Sequence, residues 1–319
     1  MRKLLFLMAL SLCLPAAAQD LIPFNSHGKW GFAAPGGRVR IRPRYDYAEP
    51  FSEGRALVLE GGRYGFIDKN GKVAIWPRFQ SAAAFSGGCA PVESRGQWGC
   101  VDRDGHPVVP FQYDKLLQFS EGAAPAEKDG RWGLLLAGSG KFIAGNYEEV
   151  YPPSEGLARV RVKGKYGYID LSGREVLPPV YEEAFPFSGG HATAKMGDRY
   201  GFIDRKALTL KFRPFILIGP YSGGLAHAQS LKDGNHCGYI DLEGRQIIPA
   251  SFAMCAAFDE GLAPVLPDLK GKWGYIDRNG KVVIGFRYDR ADGFRDGLAK
   301  VARGGRSFYI DHSGHEYVR

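Results

Sequence analysis

An aromatic residue followed by glycine returns along almost the whole chain, and the first six copies are each 34 residues apart. Three weaker copies follow after steps of 37, 36 and 34 residues. Self-similarity at a fixed period of a few tens of residues indicates a repeat architecture, in which each unit buries its apolar face only against its neighbours. A chain of this kind offers extended surfaces rather than one enclosed core. The nine copies begin at Trp30, Tyr64, Trp98, Trp132, Tyr166, Tyr200, Cys237, Trp273 and Ser307.

The repeat unit is most regular in the fifth copy, residues 157–187. Ala158, Val160 and Val162 alternate with charged residues, which is the period of a half-buried strand. A second strand carries Tyr166 and Gly167, where the glycine leaves room for another backbone or side chain to approach closely. We therefore expect a three-stranded antiparallel meander, with strands A, B and C, followed by a return segment.

The turn between strands B and C repeats an Asp at its first position and a Gly at its fourth. The Asp side chain accepts hydrogen bonds from the turn backbone, and the Gly accepts a positive φ. Most copies lack the further carboxylates of a calcium loop, so the pattern favours turns over metal sites. The turns are Asp68–Gly71, Asp102–Gly105, Asp170–Gly173, Asp241–Gly244, Asp277–Gly280 and Asp311–Gly314.

A second motif, Phe-Ser-x-Gly, follows strand C at a constant distance from the aromatic of strand B in most units, as at Phe51–Gly54 and Phe187–Gly190. The length differences between units therefore fall around the hairpin that connects A to B. Exposed loop tips tolerate insertions better than packed connections do. The A–B hairpins are thus predicted to lie along one free rim.

The recurring pattern, as in GKWGYIDRNGKVVIGFRYDRADGFRDGLAKV from Gly271, resembles the WG-repeat (KWG-type) family of bacterial proteins. The resemblance covers essentially residues 20–319, as about nine units. It implies tandem β-repeats and no known enzymatic role, and it transfers no functional residue.

Nine such units could stack as an open superhelix or close into a ring. Propellers typically have four to eight blades and often complete the last blade with a strand from the other terminus. Here residues 21–24 occupy the strand A position of the first unit and residues 316–318 start strand C of the last, so no strand is left over to close a ring. We therefore predict an all-β, open, solenoid-like array whose ninth copy is a cap, with a closed β-propeller-like ring as the alternative.

The first residues predict export. Arg2 and Lys3 precede an apolar run of about a dozen residues, too short to span a membrane, and Ala16 and Ala18 give a signal-peptidase spacing. We expect a signal peptide over residues 1–18, cleavage before Gln19, and a repeat array over residues 19–319 that is periplasmic or secreted, without a membrane span.

Four cysteines follow the predicted signal peptide, and an even count in an exported chain suggests disulfides. Three pairings are possible. The simplest joins Cys89 to Cys100 and Cys237 to Cys255, each pair within one repeat and in adjacent predicted strands. Buried free thiols are the alternative.

Catalytic chemistry should appear as a departure from the repeat, because packing residues recur. The seven histidines lie beside no nucleophile motif, and His312 and His315 with Glu316 supply too few ligands on one face for a metal. No enzyme activity, metal or cofactor is expected. An enzyme would have its site in the atypical units near His227–His236.

Charge is the more informative feature. The formal net charge is +8, and the predicted A–B hairpin tips carry twelve Lys and Arg against four Asp. A line of positive tips attracts an anionic partner. We expect a non-enzymatic interaction or scaffold protein whose basic rim binds an acidic protein or an anionic envelope polymer. We do not expect it to bind nucleic acid. The alternative is a carbohydrate-binding module that uses exposed aromatics. The candidate rim residues are Arg63, Arg95, Arg131, Lys163, Lys165, Arg199, Lys272 and Arg306.

Overall fold

The computed structural model describes residues 21–230, 232, 234 and 236–318, and within them the chain forms nine small antiparallel sheets. The predicted signal peptide over residues 1–18 and its cleavage before Gln19 lie outside the described residues. The sheets follow one another in chain order, as a tandem repeat requires, and are numbered 1 to 9 here.

Sheet 1 has three strands and each later sheet has four. Sheet 1 contains β1 (Ile22–Ser26), β2 (Lys29–Ala33) and β3 (Val39–Tyr45); sheet 2 contains β4 (Tyr47–Ser52), β5 (Arg55–Glu60), β6 (Arg63–Ile67) and β7 (Val73–Phe79); sheet 3 contains β8 (Ser81–Ala82), β9 (Ala90–Ser94), β10 (Gln97–Val101) and β11 (Pro107–Tyr113). Sheet 4 contains β12 (Lys115–Leu116), β13 (Ala123–Lys128), β14 (Arg131–Leu136) and β15 (Phe142–Ala144); sheet 5 contains β16 (Glu149–Val150), β17 (Leu157–Val162), β18 (Lys165–Asp170) and β19 (Glu175–Tyr181); sheet 6 contains β20 (Glu183–Ala184), β21 (His191–Met196), β22 (Arg199–Asp204) and β23 (Thr209–Phe212). Sheet 7 contains β24 (Leu217–Ile218), β25 (Ala226–Gln229), β26 (Cys237–Ile240) and β27 (Gln246–Phe252); sheet 8 contains β28 (Met254–Cys255), β29 (Ala263–Leu266), β30 (Trp273–Ile276) and β31 (Val282–Tyr288); sheet 9 contains β32 (Arg290–Ala291), β33 (Leu298–Arg303), β34 (Arg306–Asp311) and β35 (Glu316–Tyr317).

The predicted A-B-C meander is present, and a fourth, short strand precedes it in sheets 2 to 9. This short strand comes from the return segment, which the sequence analysis left without regular structure. In sheet 5 it is β16, where Glu149 and Val150 pair with Arg161 and Val160 of strand A. Two residues are enough to continue the ladder because the next amide, that of Tyr151, also donates to strand A. The unit is therefore four-stranded, which corrects the three-stranded prediction.

The glycine of the aromatic–Gly motif lies where strand C crosses strand B at very short range. A Cβ on Gly167 would lie 2.7 Å from the carbonyl oxygen of Leu177 and 2.7 Å from the nitrogen of Pro179. Both are backbone atoms, which cannot rotate away as a side chain can. Strand C bulges at this point, and the bulge brings its backbone over the glycine. The close approach predicted from the sequence is confirmed, and it recurs at Gly31, Gly65, Gly99, Gly133, Gly201, Gly238 and Gly274.

The Phe-Ser-x-Gly motif forms a tight turn that also joins neighbouring units. Its central residues have positive φ, 50° at Glu53 and 79° at Gly54, as in a type I′ hairpin turn. The Ser52 hydroxyl donates to the carbonyl oxygen of Phe85, one unit further on, at 2.7 Å. The same link from one unit to the next is made by Ser86, Ser120, Ser154 and Ser222. The motif therefore recurs because it fixes the spacing between units.

The nine sheets close into a ring, and the prediction of an open array is wrong. The Trp30 ring in sheet 1 packs edge-on against Tyr309 in sheet 9, with centroids 6.0 Å apart. Asn25 forms a parallel bridge with Val318, and one hydrophobic cluster contains residues from both ends of the array. The sequence argument looked for a strand exchanged between the termini, whereas closure occurs chiefly by side-chain packing between sheet 9 and the three-stranded sheet 1. The protein is thus a nine-bladed β-propeller, one blade beyond the usual range.

The ninth copy is part of this closing seam rather than a cap. Phe308 stands where the other units have the motif glycine, yet it is 2% exposed and packs 6.2 Å from Tyr288. It fits because β35 covers only Glu316–Tyr317, so the bulged backbone of a full strand C does not occupy that space. The degenerate motif follows from the short outer strand.

Both predicted disulfides are present. Cys89 and Cys100 lie within sheet 3 with their Cα atoms 5.9 Å apart, and Cys237 and Cys255 are bonded with a Cα separation of 6.2 Å. The second bond differs from the prediction in one respect, because Cys237 is on β26 of sheet 7 and Cys255 is on β28 of sheet 8. It connects two blades rather than adjacent strands of one.

Candidate functional site: the hairpin face

The A–B hairpins lie on one face of the ring, because every sheet has the same strand order and direction. This face carries the basic residues proposed from the sequence. Lys165 is half-buried, and the other seven candidates are exposed: Arg63, Arg95, Arg131, Lys163, Arg199, Lys272 and Arg306.

Acidic residues from another part of each unit lie on the same face. The amide of Gly61, at a hairpin tip, donates to Asp46 at 3.1 Å, and the amide of Gly164 donates to Glu148 at 3.1 Å. These carboxylates come from the residue between strand C and the next short strand. The sequence analysis missed them because it counted charge within the hairpins alone, although the 34-residue period marks most of the positions. The acidic residues that cap hairpins in this way are Asp46, Asp114, Glu148, Glu182 and Asp289.

Some of the predicted basic residues are therefore neutralised. Lys165 pairs with Glu182 at 2.5 Å, and Lys272 pairs with Asp289. The hydrogen bond from each lysine lowers the pKa of its carboxyl partner. Each of these carboxylates also caps the hairpin of the next blade, so the two lysines connect neighbouring blades and contribute little net charge to a partner.

Six exposed candidates remain. Arg306 lies on sheet 9, and the other five form an arc across five consecutive blades, which we call the basic arc: Arg63, Arg95, Arg131, Lys163 and Arg199. Among the described residues none of these five makes an ion pair. Arg199 lies 3.9 Å over the Phe212 ring, which holds its guanidinium on this face. Asp129 and Asp198 are exposed acids at the same tips, and the capping carboxylates of Asp46, Asp114, Glu148 and Glu182 lie beside these hairpins as well.

The repeating aromatics are placed mainly for packing. Trp30 is 5% exposed and Tyr200 is 3% exposed, and the other motif aromatics are half-buried. They are Tyr64, Trp98, Trp132, Tyr166 and Trp273. Trp76, on the outer strand β7, is 74% exposed, but it is not one of the repeating aromatics. A sugar platform made of the motif residues would need rings that the neighbouring blades do not cover.

Around His227, the described residues provide a buried setting for the imidazole ring. Burial lowers the pKa of His227 to about 4, and its Nδ1 has no hydrogen-bond partner. Its ring lies against the backbone of Gly219 and edge-on to Tyr239. Neither neighbour is a base or a nucleophile, and Cys237 is held in its disulfide.

The other histidines weighed for metal binding have separate partners. His312 stacks on Phe294 and lies 3.1 Å from Glu260, whereas His315 packs against Tyr317. In the part of the chain that the structure describes, no group of three or more His, Cys, Asp or Glu side chains is arranged to hold a metal ion. The same residues include no helix with the length and apolar character needed to cross a membrane.

The fold and its motifs define the class of protein: a β-propeller built from tandem short repeats. The chain belongs to the family of WG containing repeat proteins, and seven of its repeats match that family. The matched residues are 30–64, 64–98, 98–132, 139–166, 166–200, 238–266 and 273–306.

Solved structures of other proteins share the fold at low sequence identity. The dihydro-heme d1 dehydrogenase NirN is 14% identical, with a TM-score of 0.50 over 95% of this chain and 73% of that one. Weaker likenesses include Kluyveromyces lactis Hsv2, which is 8% identical with a TM-score of 0.44 over 60% of this chain and 70% of its own. Virginiamycin B lyase from Staphylococcus aureus is 14% identical, with a TM-score of 0.40 over 71% of this chain and 92% of that one. No curated protein matches the chain.

Proposed function

We propose that this protein is a non-enzymatic, exported interaction module that binds an acidic protein or an anionic envelope polymer through the basic arc. The observation that carries the proposal is the selective neutralisation of the hairpin face. Lys165 and Lys272 are paired with carboxylates, whereas five consecutive blades present cations that make no ion pair among the described residues. A solubilising surface would need no such segregation.

The two disulfides and the exposed charges of the hairpin face support this proposal. Disulfides persist in oxidising compartments, and two are formed here. Each exposed charge contributes only about 0.2–1 kcal/mol, so binding must come from several blades at once and must weaken with salt. Nucleic acid is the less suitable partner, because Arg63, Arg95 and Lys163 are not interleaved with aromatic rings on which bases could stack.

The test replaces Arg63, Arg95, Arg131 and Arg199 together with alanine. We expect the variant to bind poly-glutamate, as the acidic polypeptide, or dextran sulfate, as the anionic polysaccharide, at least about tenfold more weakly by biolayer interferometry. The preferred ligand of the two identifies the partner class. Raising the salt concentration should weaken binding of the original protein more steeply than that of the variant.

A matched control removes the same charge from the opposite face, by changing Lys72, Arg103, Arg174 and Lys281 to alanine at the B–C turns. This control should keep most of the affinity, because the removed charges lie across the ring from the basic arc. Equal losses in the two variants, or no loss in the first, would discard the basic arc as a binding surface. Binding of neutral dextran instead would favour the carbohydrate-binding alternative.

A further inference from the structure

A cavity of about 480 Å³ opens into the central channel at the closing seam of the ring. It lies where sheet 9 meets sheet 2 at the channel wall, because sheet 1, as described, has no short strand to fill that position. Strand β4 of sheet 2 and the segments that follow the short strands of sheets 3, 4 and 9 line it, together with parts of β33 and β34. The break in the symmetry of the ring thus creates a concave site of the size that holds small ligands.

Two charged side chains of opposite sign line this cavity without an ion-pair partner among the described residues. Lys300 has its Nζ 4.7 Å from the centroid of the Tyr47 ring and 5.9 Å from that of Trp30. The Glu49 carboxylate accepts a hydrogen bond from the Tyr47 hydroxyl at 3.2 Å. Burial lowers the pKa of Lys300 and raises the pKa of Glu49, as expected for charges that have lost water without gaining a close counter-ion.

A third charged group, Arg295, lines the same cavity and is also unpaired among the described residues. It stands where other units have the serine of Phe-Ser-x-Gly, whose hydroxyl links one unit to the next. Asp292 is also in the wall, but it pairs with Arg290 at 3.2 Å. The cavity therefore presents two cations, Lys300 and Arg295, and two carboxylates, Glu49 and Asp296, that make no ion pair among the described residues.

These residues depart from the repeat, so packing between blades does not explain them. Lys300 occupies the third position of strand A, where several other units have an apolar residue. Those residues are Pro23, Leu57, Pro91, Pro125 and Pro264. Glu49 lies in β4, at the position that directly follows the two-residue short strand in other units, and several of those units have an apolar residue there. Those residues are Ala83, Leu117, Phe185 and Ala256. Other units also have a charged residue at each position: Arg159 stands at the position of Lys300, where it lies 3.8 Å over the Tyr151 ring, and Asp292 stands at that of Glu49, in the wall of the same cavity.

The simplest structural role for Lys300 and Glu49 would be a salt bridge across the closing seam, but such a bridge requires the two side chains to be in contact. No ion pair within 4.0 Å joins them among the described residues, and open volume lies beside them. Partly buried, unpaired charges are costly and persist most readily where a ligand completes them. A ligand that compensates both the cationic and the anionic side chains must itself carry a negative and a positive charge.

We propose that this cavity binds a small zwitterion of the amino-acid class, an α-amino acid or a dipeptide, with its carboxylate toward Lys300 and Arg295 and its ammonium toward Glu49. The Tyr47 ring offers an apolar face between the two charged ends. This site is separate from the basic arc and does not depend on the function proposed for it.

The experiment is isothermal titration calorimetry of the purified protein with alanine and with Ala-Ala, each beside its N-acetyl and its C-terminal amide form. We expect at least one zwitterion to bind, and each blocked form to bind at least tenfold more weakly, because blocking removes one of the two charges. Glu49→Gln should remove the preference for the free amine, and Lys300→Met should remove the preference for the free carboxylate. Lys163→Met, on the hairpin face, should change neither.

Arg295→Gln supplies a second test in case Lys300→Met fails to fold, because Arg295 lies in a turn rather than in a strand. This substitution should weaken the binding of both the zwitterion and the N-acetyl form, and it should leave the binding of the amide form unchanged. Absence of binding by either zwitterion at 10 mM would overturn the proposal. So would equal binding of the free and blocked forms, or variants that bind like the original protein.

Discussion

Replacing Trp30 by alanine is expected to lower the free energy of unfolding by about 3–5 kcal/mol, the usual cost of removing a large buried aromatic side chain. Trp30 is 5% exposed, and its ring lies 6.0 Å from both Tyr47 and Tyr309. It therefore packs against sheet 2 and sheet 9 at once, at the place where the ring closes. Urea denaturation followed by circular dichroism measures the change.

Trp76→Ala is the matched control. Trp76 is the same residue type in the neighbouring sheet but is 74% exposed on the outer strand, so its loss should change the free energy of unfolding by no more than about 0.5 kcal/mol. If Trp30→Ala proved as mild as Trp76→Ala, Trp30 would be at a free end of the array rather than inside a closed seam.

Adding one methyl group at Gly167 is expected to destabilise the protein by about 1–3 kcal/mol, as overpacking does. The new Cβ would lie 2.7 Å from the carbonyl oxygen of Leu177, closer than real Cβ contacts allow. Relief requires strand C to move away from strand B, which weakens the ladder of that blade. The change in the urea midpoint of Gly167→Ala measures the cost.

Gly285→Ala separates this crowding from a general effect of replacing glycine. Gly285 is in strand β31, has no atom within 4 Å of the position of a Cβ, and its φ is not in the positive range. Alanine should be neutral there or stabilising by about 0.4–1 kcal/mol, because it restricts the unfolded chain. A stable Gly167→Ala protein, with a midpoint like that of Gly285→Ala, would show that the motif glycine is not a packing requirement.

The unit could be predicted from the sequence, but the shape of the array could not. Strands A to C, the Asp–Gly turns and the close approach at Gly167 all follow from local periodicity, since the residues that cause them lie within one period. Ring closure depends on the angle between blades and on contacts such as Trp30 with Tyr309, which lie far apart in the chain. An open and a closed array share the same repeat, so the repeat alone does not distinguish them.

The hairpin face, too, could be predicted from the sequence only in part. The positions of Arg63 and Lys165 at hairpin tips could be predicted, because loop lengths vary there. Their electrostatic environment could not, because Glu182, which pairs with Lys165, lies between strand C of that blade and the short strand of the next, whose hairpin it caps at Gly197. The cavity at Lys300 was missed altogether, since it arises from the incomplete first blade rather than from any motif.

Ring closure is the central claim, and double electron–electron resonance between spin labels at hairpin tips tests it most directly. The four cysteines among the described residues are in disulfides, so labels can be placed at introduced cysteines. In a closed ring of nine blades, Arg63 and Arg306 are two blades apart, as are Arg63 and Arg131, while Arg63 and Arg199 are four apart. The account predicts similar distances for the first two pairs and a longer distance for the third. A distance from position 63 to position 306 that exceeds the distance from 63 to 199 would contradict it and restore the open array.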